Sequence, residues 1–181
     1  MHTEYEVRVL EIDSKKMIKK LEKLNANLVF DSLQRRYVYD FKPKVESKWI
    51  RLRTNGEKTT LAIKNVATSE IDGTQELEIE VDDFDRCHLI LKELGYIERS
   101  YQENRRIQYD LNGVEIDIDT WPLIPTYMEV EGSSEEQVYH ALEVLGIDQE
   151  DCTSLDVESI YYKYNVDVKN IDKLTFEEEV K

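Results

Sequence analysis

Carboxylate and guanidinium side chains recur at every second position in several parts of this chain, and that spacing is what could do chemistry. Glu4, Glu6 and Arg8 alternate with Tyr5, Val7 and Val9. Residues two apart in a strand share a face, so the charges lie on one side and the apolar groups on the other. The division repeats. Arg51 and Arg53 alternate with Ile50 and Leu52, and Lys64 with Leu61 and Ile63. Glu76, Glu78 and Glu80 alternate with Leu77, Ile79 and Val81; Glu115, Asp117 and Asp119 with Val114, Ile116 and Ile118; Glu129 and Glu131 with Met128 and Val130. Hard carboxylate oxygens suit Mg2+ or Mn2+, which take one or two carboxylates and fill the rest of the shell with water and substrate phosphates. Arginine and lysine suit phosphate oxygens, arginine through paired N–H donors. Together the two sets point to a metal-assisted site for a small, highly charged anion.

The elements that must carry these residues follow from local signals. After the first strand, Asp13 or Ser14 caps a helix to about Asn25, with Met17, Ile18, Leu21 and Leu24 as its apolar stripe. Residues 35–40 read as a strand, and 49–64 as a hairpin turning at Asn55-Gly56. Gln75 to Asp82 is a strand, followed by a helix from about Asp83 to Leu94 that stops at Gly95. Asn112-Gly113 joins strands 104–111 and 114–120. A helix from Ser133 to Leu145, with Ser133 and Glu136 as a capping box, follows Glu129-x-Glu131. A last helix spans 154–164, and the closing residues, ending Glu177-Glu178-Glu179-Val180-Lys181, read as a short acidic helix. Arg-Arg-x-x-Tyr-Asp occurs at 35–40 and again at 105–110, each time after a Glu-x-Glu strand and a helix. The chain therefore reads as two related halves, with Arg36 and Arg106 facing the same way.

The fold expected is α+β: an antiparallel closed β-barrel of about eight strands with helices packed on the outside. Two carboxylates about 7 Å apart on one strand face repel by roughly 2 kcal/mol at an effective dielectric of 20, so three Glu-x-Glu pairs need cations nearby. Closing the sheet brings them across from Arg8, Arg36, Arg51, Arg53, Lys64 and Arg106, the groups expected to hold phosphate oxygens. With 24 basic and 39 acidic residues the net charge is −15, which argues against a nucleic acid or an anionic membrane as partner. No apolar run reaches membrane-spanning length and a charged strand begins almost at once, so the expected location is cytoplasmic. Cys87 and Cys152 read as buried free thiols, His88 and His140 as solvent-side helix residues, and no zinc-ligand spacing is present. There are six glycines and no Gly-x4-Gly-Lys-Ser/Thr loop, so side chains must hold the phosphates.

The ordered set Glu4-x-Glu6-x-Arg8, Arg51-x-Arg53, Lys64, Arg106, Asp119 and Glu129 resembles the CYTH superfamily, the triphosphate tunnel metalloenzymes. These include class IV adenylyl cyclases, thiamine triphosphatases and inorganic triphosphatases. The resemblance runs from residue 4 to about 164, giving one tunnel domain over residues 1–165 and an extension over 166–181. It implies Glu4, Glu6 and Glu129 as ligands of Mg2+ or Mn2+, with Glu131 beside them and Glu78 and Glu80 as further tunnel residues. Asp119 would assist at the metal or substrate, and Arg53, Lys64 and Arg106 would bind phosphates; Glu4, Glu6, Arg8 and Asp119 form the catalytic group. Two positions depart from the pattern. Arg8 stands where the signature has lysine and is too basic to accept a proton, and Asn104 stands where many members carry a second base. The implied reaction is hydrolysis of a triphosphate such as tripolyphosphate, ATP or thiamine triphosphate. Cyclisation of ATP to cyclic AMP and pyrophosphate ranks second, and binding without turnover third. Trp49, Tyr37 and Tyr39 serve either a purine pocket or packing. A homodimer is compatible with all three readings.

Overall fold

Alternation on a two-residue period requires one apolar face to be covered, and the computed structural model, which describes residues 1–68 and 70–176, shows how. In chain order the elements are β1 (His2–Val9), α1 (Ser14–Lys23), β2 (Asn27–Asp40), β3 (Lys48–Thr54), β4 (Thr59–Val66) and β5 (Thr74–Glu80). Then come α2 (Phe84–Glu93), β6 (Glu98–Leu111), β7 (Val114–Thr120), β8 (Tyr127–Gly132), α3 (Glu135–Val144), β9 (Cys152–Thr153), α4 (Val157–Lys163) and β10 (Lys173–Leu174). The strands β2-β3-β4-β5-β1-β8-β7-β6 pair in that order, all antiparallel, and β6 returns to β2 to close the barrel. The helices lie outside.

The apolar faces point outward under the helices. Val7, Ile116, Ile118, Met128 and Val130 are buried against α1 and α3, whose Leu21, Val138, Leu142 and Leu145 supply the other half of the layer. Tyr39, Ile50 and Leu52 pack under Phe84, Cys87 and Leu91 of α2. A third cluster gathers Trp121, Tyr127, Ile160, Tyr161, Val168 and Leu174 where α4 and the segment after it fold over one end of the barrel. Asp13 caps α1 through Lys16 N at 3.0 Å and Asp83 caps α2 through Arg86 N at 2.9 Å, as the local signals predict. At the β6–β7 turn Asn112 and Gly113 both take positive φ, the backbone a two-residue hairpin of this twist requires.

The sequence-based bounds need several corrections. Strands β2 and β6 each run 14 residues, well beyond 35–40 and 104–111, because they pair antiparallel along almost their whole length, from Asn27 opposite Asp110 to Tyr39 opposite Glu98. The α3 cap is Ser134, one residue later than expected, since Gln137 reaches back to Ser133 N at 3.2 Å while Ser134 accepts from Gln137 N. Helix α4 begins only after Asp156, whose carboxylate caps it. His88 is turned inward: its ring stacks on Tyr37 with centroids 4.0 Å apart, and Nδ1 meets the Tyr39 hydroxyl at 2.7 Å. Cys152 is only partly buried. Of the closing residues, 173–174 form a strand beside Tyr101 and Gln102 of β6, and the acidic run 177–181 lies outside the described residues.

The two halves are related by register as well as by motif. Arg36 opposes Gln102 and Ser32 opposes Arg106; Tyr39 opposes Glu98 and Leu28 opposes Tyr109. Each pair becomes the other when both members are moved seventy positions, so the β2–β6 ladder is its own image under a pseudo-two-fold axis. The β1–β5 ladder behaves likewise with a move of seventy-two positions, Glu4 opposite Thr74 and His2 opposite Glu76.

Candidate active site

The charged faces turn into the barrel and line a cavity of about 460 Å3. Glu4, Glu6 and Arg8 reach it from β1, Arg36 from β2, Arg51 and Arg53 from β3, Lys64 from β4, Arg106 from β6, and Glu129 and Glu131 from β8. Each sits on a ladder whose register is set by its apolar neighbours, so burial of the outer layer fixes where the inner charges point. Glu78 also lines the cavity, whereas Glu80 stands outside it and pairs with Lys58 at the β3–β4 turn. Asp119 is fully buried behind the wall. It grips Arg106 through two bonds of 2.9 and 2.5 Å and accepts from Asn104 Nδ2 at 2.8 Å.

Pseudo-symmetry places opposite charges at equivalent positions. Arg53 opposes Arg36 across β2–β3, and Asp119 opposes Arg106 across β6–β7. Arg106 is consequently well neutralised: besides Asp119 it holds Asp117 and, at 2.6 Å, Glu129 Oε2. Arg36 faces another cation. Among the described residues no carboxylate pairs with it; its NH2 donates to Gln34 Oε1 at 3.3 Å and to Asn104 Oδ1, and its guanidinium lies 4.5 Å from the Trp121 ring centroid. Burial, then Arg53, Arg51 and Arg106 in turn, push Arg36 down to about 9, and burial with Arg51 and Arg106 pushes Arg53 down to about 10. Arg36 Nε and Arg51 Nε are buried with no hydrogen-bond partner among the described residues. A guanidinium does not shed its proton near neutrality, so this crowding calls for an anion.

The carboxylate side shows the converse stress. Arg8 donates from Nε to Glu129 Oε1 at 2.8 Å, from NH2 to Glu6 Oε2 at 2.9 Å, and from NH1 to the Leu155 carbonyl at 2.8 Å. Despite burial, Arg8 and Arg106 hold Glu129 well below the usual carboxylate range. Lys64 lies 3.0 Å from both Glu4 and Glu76. Burial and the hydrogen bond shared with Glu76 outweigh Lys64 and push Glu4 up to about 8, while Arg51 and Lys64 overcome burial to hold Glu76 well down. Burial, Glu115 and Glu6 push Glu131 up to about 7. Among the described residues no three acidic, histidine or cysteine side chains are spaced as a formed metal shell. The donors are nevertheless all hard oxygens, and the upward shifts of Glu4 and Glu131 show that their ionised forms lack enough cationic partners. A divalent cation fits that donor set.

Sequence reasoning gave no role to Glu76, Trp121 or Tyr127, all of which line the cavity. Glu76 is the pseudo-symmetric counterpart of Glu4, which the repeat could have revealed. The aromatic pair carried no such signal. Trp49 lines the cavity too, whereas Tyr37 and Tyr39 pack outside the barrel with His88 and α2.

The CYTH domain model matches residues 2–154. A conserved hypothetical protein of Pyrococcus furiosus superposes with a TM-score of 0.73 at 21% identity, over 87% of this chain and 99% of its own. An adenylate cyclase candidate of Vibrio parahaemolyticus gives 0.75 at 12% identity, over 89% and 98%. An adenylyl cyclase candidate of Hippeastrum with a dominant triphosphatase activity gives 0.60 at 16%, over 92% and 97%. At these identities the structural likeness speaks for the fold alone. No curated protein sequence matches significantly.

Proposed function

The chain belongs to the CYTH domain family, and from that premise we propose that it is a metal-dependent enzyme that hydrolyses a triphosphorylated small molecule inside its barrel. The observation that carries this reading is the crowding of Arg36, Arg51, Arg53 and Arg106 around one cavity, with Arg36 lacking a carboxylate partner among the described residues. A linear triphosphate supplies several negative charges along a line, which one carboxylate or one phosphate does not.

In the reaction, water adds to the terminal phosphorus, the bridging P–O bond breaks, and a diphosphate leaves. Arg36, Arg51, Arg53, Lys64 and Arg106 hold non-bridging oxygens and balance the charge that moves onto the leaving group. Glu4, Glu6, Glu129 and Glu131 would hold Mg2+ or Mn2+, which when bound supplies a Lewis acid at phosphoryl oxygens and makes water more acidic. Arg8 acts by position. Its fork holds Glu6 and Glu129 at a fixed separation, and Asp119 does the same for Arg106 from behind. A second reading, cyclisation of ATP, is favoured by Trp49, whose indole lines the cavity and offers a stacking face to a base.

The test offers tripolyphosphate, ATP and thiamine triphosphate in parallel with Mg2+ and then Mn2+, following phosphate and cyclic AMP separately. Phosphate without cyclic AMP is the expected result, and Glu6→Gln should abolish it while far-UV circular dichroism stays unchanged. Cyclic AMP with pyrophosphate would establish the second reading instead. Absence of any turnover, with tripolyphosphate still raising the melting temperature, would make the protein a binder.

A further inference from the structure

The pseudo-two-fold axis that relates the halves of the barrel breaks down on the outer surface. After β8 the chain continues into α3, which packs across β8, β1 and β7 and buries their outward side chains. After β4 there is no counterpart among the described residues, which form no helix between Val66 and β5 at Thr74. The consequence is visible at equivalent residues. Val7 of β1, beneath α3, is 4% exposed, whereas its counterpart Ile79 of β5 is 57% exposed and the neighbouring Leu77 is 52% exposed.

Helix α2 borders this uncovered strip. His88 leans toward β2, where it meets Tyr37 and Tyr39. At 100° per residue, Ile90 and Leu94 project from the opposite flank, toward β4 and β5, and are 59% and 69% exposed. The matching residue to Ile90 on α1 is Lys20, which donates to the Leu145 carbonyl at the end of α3. One half of the barrel thus has a groove filled by a helix, and the other has the same groove, lined by apolar residues, without one.

We propose that the open groove is the interface of a two-fold homodimer, in which α2 of each copy takes on its partner the place that α3 occupies in the filled half. Two features select a second copy. Helix α2 and its C-cap carry apolar residues outside the buried inner stripe, at Leu89, Ile90 and Leu94, and exposed apolar residues gathered beside an uncovered apolar strip mark an interaction surface. The helix and the groove lie side by side on one surface, so a two-fold axis makes the patch complementary to itself. Leu77, Ile79, Ile90 and Leu94 expose on the order of 400 Å2 of apolar surface, about half of the ~800 Å2 each partner contributes to a standard interface.

The test is sedimentation equilibrium on the full chain, whose mass readout is independent of any activity. Wild type should be a dimer at about 100 µM, well above the ~µM dissociation constant of a weak standard-size interface. Because each copy carries a net charge of −15, moderate salt should strengthen association. Ile79→Glu and Ile90→Lys change charge in opposite directions, yet both should leave a monomer with the melting temperature of the dissociated wild type. A wild-type chain that stays monomeric, whatever else the groove binds, overturns the proposal. So does a dimer that survives both substitutions.

Discussion

Arg36 is the residue whose surroundings say most about the ligand. It is buried against Trp121, faces Arg53 across the ladder, and is tied to Asp119 only through the neutral side chain of Asn104. Replacing it with glutamine should have opposite effects on two observables. Affinity for tripolyphosphate should fall by about 10- to 100-fold, the loss of a charge-assisted hydrogen bond of ~1.5–3 kcal/mol. The melting temperature of the ligand-free protein should rise, because a crowded buried cation has gone. Isothermal titration and a thermal melt on the same preparation check both, and a fall in the two together would show that Arg36 is structural. At this scale the sequence was legible where residues repeat. The Arg-Arg-x-x-Tyr-Asp motif put Arg36 and Arg106 on the same face, and the structure brings both into the cavity. Asn104 could be read only as a missing base. That its amide bridges Arg36 and Asp119 depends on two strands lying side by side, which no local pattern encodes.

At the scale of elements, the part least legible was the segment after α3. Strand alternation and helix caps gave β1, the β3–β4 hairpin, α1 and α2 nearly residue by residue, since those signals are local. Strand β10 is two residues long and exists because β6 outruns β7, leaving an edge at Tyr101 and Gln102 that something must cover. Helix α4 is likewise defined by what it covers. Ile160 and Tyr161 are fully buried beside Trp121 and Tyr127, and the Tyr161 hydroxyl donates to the Pro122 carbonyl at 2.8 Å. Just before α4, Leu155 offers its carbonyl to Arg8. Ile160→Ala should therefore cost about 2–5 kcal/mol in urea unfolding, the usual penalty for a large-to-small change in a packed core. It should also lower turnover, since the segment that steadies Arg8 loosens with it. A stability loss with wild-type turnover would separate the cap from the site.

For the molecule as a whole, the closure of the sheet was foreseeable because the charged faces had to meet one another, and the excess of acid over base has a consequence for stability. Glu131 and Glu4 have folded-state values of about 7 and about 8, against roughly 4.3 in the unfolded chain. Between those limits the folded protein holds protons that the unfolded chain has released, so stability falls as pH rises. Glu129 and Glu76 are shifted the other way, and their contribution is complete above about pH 4.3 and is lost only in stronger acid. The metal-free protein should accordingly be most stable near pH 5 and lose melting temperature up to about pH 8, the upper of the two values, above which the effect flattens. Mg2+ competes with protons for the same oxygens and binds only the folded site, so the rise in melting temperature it produces should be small at pH 5 and largest at the alkaline end. Scanning calorimetry across this range, with and without Mg2+, reads both trends. A rise that is independent of pH would mean that the cation binds away from these carboxylates, and with it would fall the assignment of Glu4 and Glu131 to the metal.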